Sequence, residues 1–144
     1  MKRINLSISG CMGRMGQQLI KSSKNNKNFK LVSLTENKKI NKNFKLISLT
    51  ENKILNKKIF GIKPTTNNEE AFKKTNIIID FTVPKCTIEI LKIASKLKKR
   101  VVIGTTGFSK KDEILIKKFS KKIPILKAGN MSLGVNLLMY LTEI

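Results

Sequence analysis

The stretch Ser9–Leu19, SGCMGRMGQQL, sets three glycines at intervals of three between the alternating segment INLSIS and the helical pattern QQLIKSSK. Glycine weakens both a strand and a helix, so three of them at one junction need a steric reason. A strand-to-helix turn at the rim of a parallel sheet brings its backbone within hydrogen-bond distance of a diphosphate only if no Cβ intervenes. On that reading Gly10 leaves the strand with dihedrals closed to other residues, Gly13 lets a phosphate lie against the amides, and Gly16 lets the helix close onto the strand. The helix N-terminus adds unpaired N–H groups and a partial positive charge. The spacing here, G-x-x-G-x-x-G, is one residue longer than the usual dinucleotide pattern. Standing alone such a motif is weak evidence, and a tight turn that holds nothing is the alternative.

The segments downstream of the turn give it a context. The period-two segment Ile4–Ser9 precedes a helix over Gly13–Lys24 with Met15, Leu19 and Ile20 on one side, and Lys30–Leu34 reads as a second strand. Ile77–Phe81, IIIDF, is a continuous apolar run of the kind found in strands buried on both faces. A helix over Lys85–Lys98 turns Ile88, Leu91, Ile93, Ala94 and Leu97 inward, and Val101–Gly104 is the next strand. Ser109, three residues before Asp112, caps the helix EILIKKF; Pro124–Ala128 is a strand, and Leu133–Ile144 a last helix. This alternation predicts an α/β fold, a Rossmann-like parallel sheet with helices on both faces and right-handed crossovers. Ligands of such sheets bind at the carboxyl ends of the strands.

Residues 27–41 recur as 42–56, differing only at Val32/Ile47, Lys39/Ile54 and Ile40/Leu55. Two copies of fifteen residues cannot form a solenoid, in which several units must stack. One copy is therefore surplus to the fold, and a surface excursion or an added edge strand is expected of the second. The duplication bears on the site, because Glu36 lies 20 residues after Gly16 at a strand end, where a carboxylate accepts hydrogen bonds from an adenosine ribose. Its copy, Glu51, lies 35 residues after Gly16. A short crossover places the first copy beside the first strand, which favours Glu36; an ordinary solvated carboxylate is the alternative.

The remaining composition mostly excludes. The 144 residues suit one domain, without an apolar run long enough for a membrane span or a signal segment, so a cytoplasmic protein is expected. Cys11 and Cys86 are too few for a metal cluster and read as small packing thiols. The absence of histidine removes imidazole acids, Ser–His pairs and His-based metal sites. A formal charge of +21 attracts phosphate, but the lysines are spread over nearly every polar segment, with one Tyr and no Trp for base stacking. That describes a compositional bias better than a specific nucleic-acid surface.

With GCMGRMG, IIIDFT (Ile77–Thr82), VIGTTGF (Val102–Phe108) and AGNMSLGVN (Ala128–Asn136) in this order, the chain resembles the 4-hydroxy-tetrahydrodipicolinate (dihydrodipicolinate) reductases of diaminopimelate and lysine biosynthesis. The resemblance runs from about Asn5 to the last residue and covers the family's N-terminal, nucleotide-binding portion. It implies NADH or NADPH as cofactor, and a cyclic dicarboxylate substrate and a homotetramer for the full-length family. It places the cofactor diphosphate along Gly10, Cys11, Met12, Gly13, Arg14 and Met15, and the adenosine ribose at Glu36 and Asn37. Phe81 and Thr82 would line the crevice. Gly104, Thr105 and Thr106, with Ala128, Gly129, Asn130 and Met131, would lie near the nicotinamide. The Gly and Thr of GTTG as plain turn formers, and Asn130 or Ser132 as a helix cap, are the alternatives.

Three departures from the family pattern matter. Asn37 stands where members favouring the 2′-phosphorylated cofactor carry Arg, although Lys38, Lys39 or Arg14 could substitute; Met131 replaces an aromatic. The family's histidine-rich catalytic motif and its substrate-binding loop belong to a C-terminal catalytic and tetramerisation domain, which is expected to be missing. No catalytic residue and no metal ligand is therefore assigned to 1–144, which is expected to act as a dinucleotide-binding domain. A basic α/β nucleic-acid-binding module, or a non-functional remnant exposing Leu137, Leu138 and Leu141, are the competing readings.

Overall fold

The computed structural model of the chain describes residues 3–36, 58–131 and 140–142. Asn37, the second repeat copy and Glu51 lie outside the described residues, as does most of the expected last helix; Tyr140–Thr142, within its span, are helical.

Among the described residues, nine named elements alternate between strand and helix. They are β1 (Ile4–Ser9), α1 (Arg14–Lys24), β2 (Phe29–Thr35), α2 (Asn68–Lys73), β3 (Ile77–Asp80), α3 (Pro84–Lys96), β4 (Arg100–Ile103), α4 (Lys110–Ser120) and β5 (Ile125–Lys127). The strands form one parallel sheet in the order β2-β1-β3-β4-β5. The first repeat copy supplies β2, which lies directly beside β1, as the short crossover requires. Val32 bulges where the β1–β2 register shifts between Leu6 and Ser7.

Side chains alternate across a strand, so β3 addresses two separate cores. Ile78 joins Phe72 of α2, Leu91 and Ala94 of α3, Val101 and Ile103 of β4, and Ile116 of α4. Ile77 and Ile79 pack against the other core, built from Leu6, Ile8, Cys11, Ile20 of α1 and Leu34. Helices therefore cover both faces, and each fully buried Ile, Leu or Phe contributes about 1.5–3 kcal/mol. Local signals agree with the packing. Ser109 and Asp112 form a reciprocal capping box at the start of α4. The amide of Glu70 donates to the Asn67 side chain at the start of α2, a helix that the residue pattern alone does not announce.

The strand order reverses between β1 and β3. Successive connections leave those two strands toward opposite edges of the sheet, one flanked by α1 and the other by α3, so their carboxyl ends face an open crevice. The registered pair Ser9 and Asp80 sits at its base.

Candidate nucleotide-binding site

The turn after β1 explains two of its glycines by the protein's own packing. Gly10 adopts φ +76°, and a Cβ there would lie 2.4 Å from the Phe81 carbonyl oxygen. A Cβ on Gly16 would lie 2.1 Å from the Gly10 carbonyl oxygen, so only glycine lets α1 approach the turn. Gly13 differs. Its φ of −69° and ψ of 161° suit any residue, and a Cβ would meet only the Gly10 oxygen, at an ordinary 3.4 Å. The fold does not require it, and its bare face opens outward at the N-cap of α1.

The amides of the turn divide into two groups. Gly10 and Cys11 both donate to the Thr35 carbonyl (3.0 and 3.2 Å), Gly13 donates to the Gly10 carbonyl (3.1 Å), and Met12 donates to Glu36 Oε2 (2.9 Å). These bonds hold the loop shut from behind. The first intrahelical bond runs from Gln17 N–H to the Gly13 carbonyl, and no side chain caps the helix. The N–H groups of Arg14, Met15 and Gly16 therefore form the amide-rich end of α1, with no acidic residue in its first turn.

A second uncapped helix end lines the same cleft: the N-cap of α3, Val83, makes no side-chain cap, and the first turn holds Pro84 and no acidic residue. The loops around it are tied by Asp80, a fully buried carboxylate. Its Oδ1 accepts from the Thr82 amide (3.1 Å) and hydroxyl (2.6 Å), and its Oδ2 from the hydroxyls of Thr87 (2.5 Å) and Thr105 (3.4 Å). The Thr82 amide is shared with Thr105 Oγ1 at 3.0 Å. Burial raises the Asp80 carboxyl above its ordinary range, and the donors from Thr82, Thr87 and Thr105 oppose that shift. Asp80 and Thr87 are missing from the residues singled out by motif. The signal that could have found Asp80 is a carboxylate closing an otherwise apolar buried strand.

Most of the sequence-derived residues gather along one crevice with three compartments. The first, about 270 Å³, includes Gly10 and Glu36 with Thr66 and Glu89. The second, about 280 Å³, is lined by Gly13, Arg14, Met15, Phe81, Thr82, Gly104, Thr105 and Thr106, among others. The third, about 270 Å³, adds Ala128, Gly129, Asn130 and Met131 to Met15, Phe81, Gly104 and Thr106. A Cβ on Gly104 would lie 2.2 Å from the Phe81 ring, so the ring lies against that glycine as a wall shared by the second and third compartments.

Two side chains sit otherwise than their patterns suggest, while a third, Cys11, packs as the sequence leads one to expect. Met15 is 50 % exposed and faces the crevice, while Gly16, Ile20 and Ser23 form the buried stripe of α1. The helical period places Met15 with the core, but the close approach at Gly16 rotates the buried face by one residue. Thr105 is buried and braces the loop instead of presenting its hydroxyl outward. Cys11 packs into the core beside α1, and burial reinforced by the Glu36 charge pushes its thiol up to about 12, so it stays protonated.

The parallel sheet with helices on both faces, reversing its strand order beside a glycine turn, defines a Rossmann-like α/β domain. The family model for the dihydrodipicolinate reductase N-terminus matches residues 4–131, and the chain belongs to that family. It is 73% identical over its whole length to the 4-hydroxy-tetrahydrodipicolinate reductase of Pelagibacter ubique, covering 50% of that protein. It is 41% identical to the corresponding enzyme of Buchnera aphidicola over 99% of the chain and 51% of the relative. The chain thus spans about half the length of these curated relatives. A dihydrodipicolinate reductase from Paenisporosarcina sp. TG-14, solved with dipicolinate bound, superposes with a TM-score of 0.74 at 27% identity, over 97% of this chain and 52% of that one. A Synechocystis biliverdin reductase, at 16% identity and TM-score 0.57, over 86% of this chain and 37% of that one, shares the fold alone.

Proposed function

We propose that residues 1–144 are the dinucleotide-binding domain of a 4-hydroxy-tetrahydrodipicolinate reductase. The full enzyme would use NADH or NADPH to reduce a cyclic dicarboxylate intermediate of lysine biosynthesis. The observation that carries this reading is Gly13: a glycine that the fold itself does not need, set before an uncapped helix end in the crevice. A cradle that a Cβ would fill, faced by unpaired amides, has the chemistry of a diphosphate seat.

On this reading the amides of Arg14 and Met15 hold the diphosphate, with the exposed Arg14 side chain and the α3 N-terminus adding positive potential. Glu36, anchored through the Met12 amide, offers its carboxylate to the ribose hydroxyls. The Phe81 ring, seated on Gly104, and the Ala128–Met131 segment bound the compartment left for the nicotinamide and shield it from water. A reduced nicotinamide bound there would supply a hydride. Asp80 fixes the loops that carry Phe81 and Thr105, so the wall is set before the cofactor arrives.

Titration calorimetry and thermal shift with NADH and NADPH test the proposal. Saturable binding with a rise in melting temperature is expected; no heat and no shift at millimolar cofactor would defeat it.

A further inference from the structure

The first compartment of the crevice runs against the electrostatics of the rest of the chain. Lys and Arg outnumber Asp and Glu by 30 to 9, yet the described residues around this cleft include two carboxylates, Glu36 and Glu89, and neither Lys nor Arg. Glu36 is held toward the glycine turn by the Met12 amide. Glu89 stands on the first half of α3 at an exposed position and enters no ion pair among the described residues. The other hydroxyl and amide lining comes from Ser9, Thr35, Thr66, Asn68 and Thr82.

We propose that this cleft is a specificity filter that accepts an adenosine ribose with free hydroxyls and rejects one bearing a 2′-phosphate, with Glu89 as a second determinant beside Glu36. The inference rests on the dinucleotide reading above. Carboxylates accept hydrogen bonds from ribose hydroxyls and from an exocyclic amine. A phosphate dianion in the same space meets two like charges and, among the described residues that line it, no guanidinium for a bidentate contact. The long-range field works the other way, since the net charge of +21 attracts the more highly charged nucleotide. That attraction is screened over about 8 Å at physiological ionic strength, whereas the lining carboxylates act at contact. The preference is therefore a local property set against the global one.

The test is titration of the 144-residue chain with NADH and NADPH at about physiological ionic strength, for the unaltered protein, Glu89→Gln and Glu89→Lys. NADH is expected to bind at least about tenfold more tightly than NADPH. Glu89→Gln should narrow that ratio about threefold or more, and Glu89→Lys should narrow it further. Equal or tighter NADPH binding by the unaltered chain, or a ratio that neither substitution moves, overturns the filter while leaving the dinucleotide reading intact. Failure of both nucleotides to bind overturns both. The ratio of the unaltered chain decides the matter even if a variant folds poorly.

Discussion

Replacing Gly13 with Ala separates what the glycine turn does for the fold from what it does for a ligand. The backbone there, φ −69° and ψ 161°, is open to alanine, and the new Cβ would touch only the Gly10 oxygen at 3.4 Å. Two small terms then oppose each other. Reduced freedom of the unfolded chain favours Ala by about 0.4–1 kcal/mol, and the preference of an N-cap for Gly over Ala disfavours it by a similar amount. Net stability should change by less than about 1 kcal/mol, a melting shift under about 4 °C for a domain of this size. Binding should suffer far more, because the methyl group stands where a phosphate oxygen must approach the amides of Arg14 and Met15. Weakening two hydrogen bonds to a charged acceptor costs about 2–4 kcal/mol, which is about 30- to 700-fold in affinity. Parallel thermal melts and NADH titrations of the two proteins check this. If Gly13→Ala melts within those limits and binds cofactor as tightly as before, the diphosphate does not lie against this turn.

Gly16→Ala should give the opposite pattern: its Cβ would come within 2.1 Å of the Gly10 oxygen and 2.8 Å of Cys11 Cα, so a loss of about 1–3 kcal/mol or more is expected by denaturant unfolding. An unchanged midpoint would mean that α1 does not pack as described. The Asp80 carboxyl is raised in the folded state, so its stabilising contribution is complete below its ordinary value of 3.8 and is lost as pH rises through the folded value. Urea midpoints from about pH 3 to 7 should accordingly show the stability of the unaltered chain falling relative to Asp80→Asn as pH increases; a relative gain would refute the assignment. Cys11, with its thiol pushed up to about 12, and the buried Cys86 should both resist maleimide at neutral pH until the chain unfolds, as mass spectrometry of the labelled protein would show.

The fold was legible in the residues because its main determinants are local and periodic. INLSIS alternates, Ile77–Ile79 run apolar up to Asp80, and Ser109 and Asp112 stand at the capping interval; the structure places a strand, a strand packed on both faces and a capped helix at those positions. Helix α2 was less visible because six residues hold too few turns for a helical period to emerge above its polar composition. The candidate site was legible only as a set of strand ends. Its bracing was not, since the hydrogen bonds of Asp80 span from two residues away to twenty-five, and no local pattern encodes that convergence.

The glycines carry the sharpest form of this distinction. Three of them look alike at intervals of three, yet Gly10 answers to a positive φ and Gly16 to a carbonyl oxygen, both features of the chain itself. Gly13 answers to neither. A spacing motif pools residues that are alike in chemistry but different in cause, and only the position that packing leaves unexplained bears on a ligand. On the proposed reading the diphosphate seat is therefore one bare N-cap with the amides of Arg14 and Met15 behind it, and not the triplet as a whole.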